Sequence, residues 1–233
     1  MTSMQPESEP KQLSDPRVVP AVWGVLRTPS PPGPHPGVIL LPGSSGWQLA
    51  YSQIAMSLAD AGLVAMAIDY YAETGPDSSD DDRMRKWPLW QATVRNAVGW
   101  LQASPGVSGR RVGLVGYSRG AFLAVSVASS LPAVAAVVDF FGGGGTSAEG
   151  VEQEMSNFPP LLILHGEADT VVPVSSAFRL RDAVIARGGE VEIHVYPGAG
   201  HAFNAPWSPM YSESEATESS ERMVEFLRRR LGD

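Results

Sequence analysis

The chain has 233 residues, 43% hydrophobic and 18% charged, with no cysteine and a formal net charge of −8, which is typical of a soluble globular protein. The missing cysteines exclude disulfides, thiolate metal sites and a thiol nucleophile, and the negative charge argues against nucleic acid or anionic membranes as partners. Residues 1–16 are rich in Pro, Glu and Ser and lack the apolar core of a signal peptide. We therefore predict a disordered tail over 1–16, a single domain over 17–233 and a cytoplasmic location.

Apolar runs alternate with helical periodicities along the first half of the chain. The run at 38–41 contains no polar residue, which indicates a strand buried on both faces of a parallel sheet. Residues 73–86 are polar and acidic, so we predict a solvated loop there. The other elements predicted in this half are strands over 18–26 (at a sheet edge) and 63–68, and helices over 49–61 and 87–103.

The second half continues this alternation, which predicts an α/β fold around a mostly parallel sheet. The glycines at 142–145 and the polar stretch to 157 predict a flexible loop. A phosphate-cradling loop is the alternative, but no Gly-Lys-Ser/Thr follows. The predicted elements are strands over 112–115, 134–138, 161–164 and 190–196, and helices over 121–130, 175–187 and 213–231.

A nucleophile motif stands between one of these strands and the next helix. Residues 112–120 read Val-Gly-Leu-Val-Gly-Tyr-Ser-Arg-Gly, and a G-x-S-x-G elbow requires a strand, a sharp turn and a helix in that order. Glycine fills both positions where a side chain would obstruct the turn. The pattern predicts Ser118 as a nucleophile; the alternative is an ordinary strand-to-helix loop.

Two backbone amides are candidates for an oxyanion hole. The strand at 38–41 ends in Pro-Gly-Ser-Ser-Gly, and small residues there let N–H groups point into a cleft. In a serine hydrolase this early loop supplies one donor and the residue after the nucleophile supplies the other. We predict the amides of Ser44 and Arg119, with a simple tight turn at 43–46 as the alternative.

A carboxylate and a histidine follow later strands. Asp169 and His201 lie in the loops after the strands at 161–164 and 190–196, and loops at the carboxyl ends of parallel strands gather at one sheet edge. The histidine would take the proton of Ser118, and the aspartate would hold the imidazole tautomer. Asp139 also follows a strand at this edge and is the alternative acid, while His165 fits a structural role.

The chain resembles the dienelactone hydrolase family of α/β-hydrolases from about residue 17 to 230. The matching stretches are the elbow, His-Gly-Glu-Ala-Asp-Thr-Val-Val-Pro at 165–173 and Gly-Ala-Gly-His-Ala-Phe at 198–203. The resemblance implies an α/β-hydrolase fold with about seven to eight strands, helices on both faces and a minimal lid. It also implies that Ser118, Asp169 and His201 form a catalytic triad acting on carboxylic esters or lactones.

The chain departs from the pattern of the family's namesake enzymes at three places. They carry a cysteine where Ser118 stands, and a glutamate where this chain has Gly43 or Ser44. They also grip a substrate carboxylate with arginines, and one of these positions falls here on Asn-Ala at 204–205, while Arg83 or Arg85 matches the other. These differences favour a neutral ester over dienelactone itself.

From the residues and the resemblance together we expect a serine carboxylesterase that forms an acyl-enzyme and needs no metal or other cofactor. The alternatives are a lactonase or a thioesterase with the same triad, and a non-catalytic ligand-binding member of the fold. Its partner would be a small-molecule ester or lactone, with no nucleic acid or membrane, and the protein would be a monomer or homodimer. The predicted substrate-binding residues are Trp47, Tyr71, Arg83, Arg85, Trp87, Phe141, Phe203 and Trp207.

Overall fold

The computed structural model describes residues 8–144 and 157–232. Its centre is an eight-stranded sheet with the spatial order β1-β2-β4-β3-β5-β6-β7-β8. β2 pairs antiparallel with both of its neighbours, β1 and β4, and all the other neighbouring strands are parallel. The strands are β1 (Lys11–Gln12), β2 (Trp23–Arg27), β3 (His35–Leu41), β4 (Val64–Ile68), β5 (Val107–Tyr117), β6 (Val134–Phe140), β7 (Leu161–Gly166) and β8 (Val191–Tyr196).

Helices cover both faces of this sheet. The described helices are α1 (Leu49–Asp60), α2 (Asp80–Gln102), α3 (Arg119–Ala128), α4 (Ser175–Ile185) and α5 (Glu213–Leu231). The apolar sides of α2, α3 and α4 pack on one face of the sheet, and those of α1 and α5 pack on the other. Strands β4, β6 and β7 are buried along their whole length, because both faces are covered. The α/β class, the mostly parallel sheet and the number of strands predicted from the sequence are confirmed.

The start of α2 differs from the predicted loop over 73–86. The helix begins at Asp80, seven residues before the predicted start at 87. Ser79 is its N-cap, and the Ser79 hydroxyl accepts a hydrogen bond from the Asp82 amide at 3.1 Å. Three aspartates in the first turn, at 80–82, face the positive end of the helix dipole. The acidic run is therefore a helix start.

Part of the predicted disordered tail also differs. Lys11–Gln12 pairs with β2 at the sheet edge, and Ser14 is buried with its hydroxyl accepting from the Val22 amide at 2.9 Å. Backbone pairing with β2 at the sheet edge explains why this segment is part of the fold although it has few apolar side chains. Residues 1–7 and 145–156, which include most of the predicted glycine loop, lie outside the described residues. None of the described helices is both long and apolar enough to cross a membrane.

Candidate active site

The turn between β5 and α3 has a strained backbone at Ser118. Its φ of 50° and ψ of −116° lie in a region that L-residues rarely adopt. The flanking glycines are required by space: a Cβ on Gly120 would collide with the carbonyl oxygens of Leu41 and Pro42, and one on Gly116 would collide with the start of α3. The turn thus exposes the Ser118 hydroxyl at the carboxyl edge of the sheet.

His201 lies between the serine and a carboxylate. Its Nε2 is 3.0 Å from Ser118 Oγ, and its Nδ1 is 2.7 Å from Asp169 Oδ2. The Asp169 carboxylate is fully buried and the imidazole is 17% exposed. The ring of Phe141 meets the imidazole edge-on, with centroids 5.0 Å apart. The structure therefore brings together the three residues that the sequence proposes as a triad, within hydrogen-bonding distance in the predicted order.

Hydrogen bonds hold the Asp169 carboxylate from several sides. Oδ1 accepts from the amides of Val171 at 2.9 Å and Val172 at 2.8 Å. Oδ2 faces His201 and also lies 3.4 Å from His165 Nε2. Burial alone raises the pKa of Asp169, but the hydrogen bonds from His165, His201 and Val172 outweigh it and keep the pKa well below its usual range. The lowered pKa favours an ionised Asp169, whose Oδ2 contacts His201 Nδ1.

Asp139, the alternative acid, has a different environment. It is fully buried at the end of β6, and its Oδ1 accepts from the Gly142 amide at 2.8 Å. Burial raises its pKa to about 6, against the charge of His165 and backbone hydrogen bonds from Gly142 and Gly143. Its Oδ2 has no hydrogen-bond partner among the described residues. His201 is bonded to Asp169, so the geometry favours Asp169 as the acid.

A cavity of about 310 Å³ opens in front of Ser118 and His201. Its walls come from the loop after β3, one side of α1, Phe141 and the loop after β8. The described lining residues include no Asp, Glu, Lys or Arg. The lining is Gly43, Ser44, Ser45, Ala50, Tyr51, Gln53, Ile54, Ser57, Tyr117, Ser118, Phe141, Val171, His201, Ala202, Asn204, Ala205, Pro206, Trp207 and Ser220.

The two predicted oxyanion residues lie on adjoining segments. Ser44 lines the cavity, and the backbone of Gly43 passes so close to the elbow that a Cβ there would lie 3.6 Å from Ser118 Cβ. Arg119 begins α3 directly after the nucleophile, so its amide belongs to the orphan donors of a helix start. Within the described segments, neither amide donates a hydrogen bond to another residue. Both are available to a ligand oxygen.

Of the predicted substrate-binding residues, Phe141 and Trp207 line the cavity and the other six do not. Phe203 is fully buried in the core, and Trp87 packs against the opposite core cluster. Trp47 packs beside Tyr51, with ring centroids 6.4 Å apart. None of these three residues lines the cavity: Phe203 is fully buried, and Trp47 and Trp87 are partly buried against the core.

Tyr71 and the two arginines also lie off the cavity. Tyr71 is buried, with its hydroxyl 3.0 Å from that of Tyr70. Arg83 pairs with Asp80 at 2.7 Å, and the exposed Arg85 pairs with Asp82 at 3.1 Å. Carboxylates of the same helix turn therefore neutralise both arginines, and neither lines the site.

The sequence analysis did not predict that α1 forms one wall of the cavity. Ala50, Gln53, Ile54 and Ser57 follow the spacing i, i+3, i+4, i+7 and line the cavity from one face of the helix. Tyr51, on the neighbouring face, is buried and contributes its ring. The helical spacing was visible in the sequence, but nothing in it distinguished a face turned to a cavity from one turned to the core.

Comparisons with known proteins identify the family of this chain. The family model described as the Dienelactone hydrolase family matches residues 22–231. A carboxymethylenebutenolidase of Pseudomonas putida is 29% identical over 221 residues, which cover 88% of this chain and 90% of the relative.

Two solved structures share the fold. A dienelactone hydrolase-like promiscuous phosphotriesterase from metagenomic libraries superposes with a TM-score of 0.81 at 21% identity, covering 96% of this chain and 98% of the other. A thermophilic esterase of Thermogutta terrifontis with bound propionate gives 0.74 at 19% identity, covering 97% and 95%. These likenesses confirm the predicted α/β-hydrolase fold.

Proposed function

The chain belongs to the dienelactone hydrolase family and is a hydrolase, and we propose that it is a serine carboxylesterase that works through an acyl-enzyme. The proposal rests on two consecutive contacts of His201. Its Nε2 is 3.0 Å from Ser118 Oγ, and its Nδ1 is 2.7 Å from Asp169 Oδ2. A serine is a weak nucleophile until an oriented base takes its proton. These three side chains supply the nucleophile, the base and the orienting carboxylate.

Acylation then follows from the contacts. Ser118 Oγ attacks the carbonyl carbon of the ester while His201 Nε2 takes the hydroxyl proton, and Asp169 stabilises the imidazolium. The carbonyl oxygen becomes an oxyanion, to which the amides of Ser44 and Arg119 donate. The imidazolium returns its proton to the leaving alkoxide, and the alcohol departs. Water then attacks the acyl-enzyme while His201 Nε2 takes one of its protons. The bond between the acyl carbon and Ser118 Oγ breaks, the imidazolium returns that proton to Ser118 Oγ, and the carboxylic acid is released.

The cavity supports a neutral substrate. Its lining offers apolar surface from Ile54, Phe141 and Trp207 and no side chain with a fixed charge among the described residues. Burying an uncompensated carboxylate in such a cavity is costly, and Arg83 and Arg85 are held by Asp80 and Asp82. An uncharged ester with an apolar acyl or alkoxy group fits these walls.

A lactone is the second candidate substrate. The relative from Pseudomonas putida is a carboxymethylenebutenolidase and is aligned with 88% of this chain. The same acylation step opens a lactone, with the alkoxide remaining tethered to the acyl group. Turnover of neutral esters and neutral lactones side by side ranks the two candidates.

The proposal is tested by comparing two serine-to-alanine variants in the same assay. Ser118→Ala removes the nucleophile, and Ser130→Ala removes an exposed hydroxyl just beyond the end of α3. We expect Ser118→Ala to fold normally and to lose at least about a thousand-fold in kcat on neutral p-nitrophenyl esters, while Ser130→Ala matches the wild type. Equal turnover by Ser118→Ala and Ser130→Ala would overturn the assignment.

A further inference from the structure

Two tyrosine hydroxyls hold one peptide group beside the proposed oxyanion hole. The carbonyl oxygen of Pro42 accepts from the Tyr70 hydroxyl at 2.9 Å, and the amide of Gly43 donates to the Tyr51 hydroxyl at 3.0 Å. These two atoms belong to the same peptide, which immediately precedes the peptide carrying the Ser44 N–H. The plane of the Pro42–Gly43 peptide is therefore fixed at both ends, and the direction of the next N–H is restricted with it.

A chain of hydrogen bonds connects this peptide to the second oxyanion residue. The Tyr70 and Tyr71 hydroxyls are 3.0 Å apart, and the Arg119 guanidinium interacts with the Tyr71 hydroxyl and lowers its pKa against the effect of burial. A carbonyl can only accept, so the single hydroxyl hydrogen of Tyr70 goes to Pro42. Tyr71 then donates to Tyr70, and the Tyr71 oxygen can still accept from the Arg119 guanidinium, which has only donors.

An aspartate anchors the far end of this chain. Asp77 forms an ion pair with the Arg119 guanidinium, and its other oxygen lies 3.7 Å from Arg83. The side chains of Asp77 and Arg119 are 9% and 20% exposed, so water competes little for the pair. The guanidinium is thus held by Asp77, while the backbone amide of the same residue donates no hydrogen bond within the described segments.

We propose that Tyr70, Tyr71 and the Arg119 side chain, anchored by Asp77, are positioning residues that fix the spacing of the two oxyanion donors. The Tyr70 and Tyr71 hydroxyls connect Pro42, on the loop of one donor, to Arg119 at the start of α3, so a shift of either donor would disturb these buried contacts. This inference rests on the proposed function, because it assigns the amides of Ser44 and Arg119 to the oxyanion of an acyl transfer. Preorganised donors stabilise a transition state because they need no rearrangement when charge develops.

The surroundings keep the tyrosine chain intact over the working pH range. Tyr70 is 2% exposed, and its ring packs against those of Tyr71 and Trp90 with centroids 4.2 and 5.7 Å away. Burial raises the pKa of Tyr70 well above its ordinary value, and the neighbouring Tyr71 adds to this. The Tyr70 hydroxyl therefore remains protonated and continues to donate to Pro42. The aromatic packing also fixes the rings without the hydroxyls.

The first test removes one hydroxyl while keeping the ring. Tyr70→Phe is expected to lower kcat on a neutral ester about ten-fold with KM nearly unchanged, a smaller effect than the loss of one oxyanion donor, which costs about 10²–10³. Tyr211→Phe, the same change at an exposed tyrosine outside the cavity lining, is the matched control and should match the wild type. A purely structural role would lower the melting temperature and leave kcat of the folded enzyme unchanged.

A transition-state analogue gives a readout that is specific to the oxyanion hole. A trifluoromethyl ketone that adds to the serine forms an oxyanion, and its affinity should fall in Tyr70→Phe by the same factor as kcat/KM. If Tyr70→Phe binds the ketone and turns over the ester as the wild type does, the positioning role is overturned.

A second variant, Tyr71→Phe, keeps the inference testable if Tyr70→Phe fails to fold. Tyr71→Phe breaks the same chain, and the double variant with Tyr70→Phe should cost little more than the larger single effect, because one broken link already frees the loop. If the losses in kcat of the two single variants add fully in the double variant, the two tyrosines do not act through one connected set of contacts. Ser118→Ala assayed in parallel separates the two claims: if it retains turnover the proposed function fails, whereas a dead Ser118→Ala with an unaffected Tyr70→Phe defeats this inference alone.

Discussion

Asp139 and Asp169 occupy similar positions but have opposite properties. Asp139 lies near the end of β6 and Asp169 in the loop after β7, at the same edge of the sheet. Both side chains are buried, and both interact with His165. Burial raises the pKa of Asp139 to about 6, whereas hydrogen bonds hold that of Asp169 below its usual range. The imidazoles of His201 and His165 both lie near Oδ2 of Asp169. In contrast, Oδ2 of Asp139 has no hydrogen-bond partner among the described residues. The donors around a buried carboxylate, more than its burial, decide whether it serves as the acid of the site.

The largest expected effect comes from Asp169→Asn. The substitution preserves the shape of the side chain but removes the charge that orients His201 and stabilises the imidazolium. By analogy with the same change in a serine protease triad, kcat on a neutral ester should fall by about 10³–10⁴. Steady-state kinetics of the folded variant check this. Retention of more than a tenth of the wild-type kcat would mean that another carboxylate orients the imidazole.

Replacement of His165 should have an intermediate effect. Its Nε2 is 2.8 Å from the Val172 carbonyl, so it carries the hydrogen, and it also faces Asp169 at 3.4 Å. His165→Leu removes these contacts with Val172 and Asp169. It should lower kcat about ten-fold, because the Asp169 carboxylate would no longer be aligned with His201. His165→Gln keeps an N–H donor and should recover most of the loss. Equal activity of the leucine and glutamine variants would show that the N–H has no positioning role.

The smallest effect on turnover is expected from Asp139→Asn, which should leave kcat unchanged and act on stability instead. In the folded protein Asp139 holds its proton up to a pH of about 6, while an unfolded aspartate releases it near pH 3.9. The folded state therefore binds the extra proton between these values, and the free energy of unfolding falls as the pH rises from about 4 to 6, by on the order of 3 kcal/mol.

Urea unfolding of the wild type and Asp139→Asn at several pH values measures this contribution. The asparagine can still accept from the Gly142 amide, so the variant should lose the fall between pH 4 and 6 and keep the fold. His165, whose pKa is raised, acts in the same direction but above about pH 6.5. Parallel stability curves for the two proteins across pH 4–6 would contradict a raised pKa at Asp139.

The sequence predicted those parts of the fold that depend on local pattern. The last helix has the predicted bounds, 213–231, with acidic residues in its first turn and arginines in its last turn. The order of Ser118, Asp169 and His201 follows from their strands. The start of α2 was missed because the polar residues at 79–82 were interpreted as solvated, although a serine followed by three acidic residues is also an N-terminal signal.

The walls of the site were predicted less well because they depend on packing between distant segments. Phe203 and Trp207 stand four residues apart in one loop, yet one is fully buried in the core and the other is 46% exposed at the cavity. No local pattern separates them. The pairing of Arg83 with Asp80 has the spacing i, i+3. It would have been predicted from the sequence if α2 had been predicted to begin at Asp80.

The central claim is that Ser118 is a nucleophile activated by His201 and Asp169. Incubation with a fluorophosphonate probe, followed by mass spectrometry of the tryptic peptides, tests it most directly. We predict one covalent adduct per chain, located on Ser118 and absent in Ser118→Ala. A chain that stays unlabelled while it hydrolyses neutral esters, or an adduct on a different residue, would contradict the account.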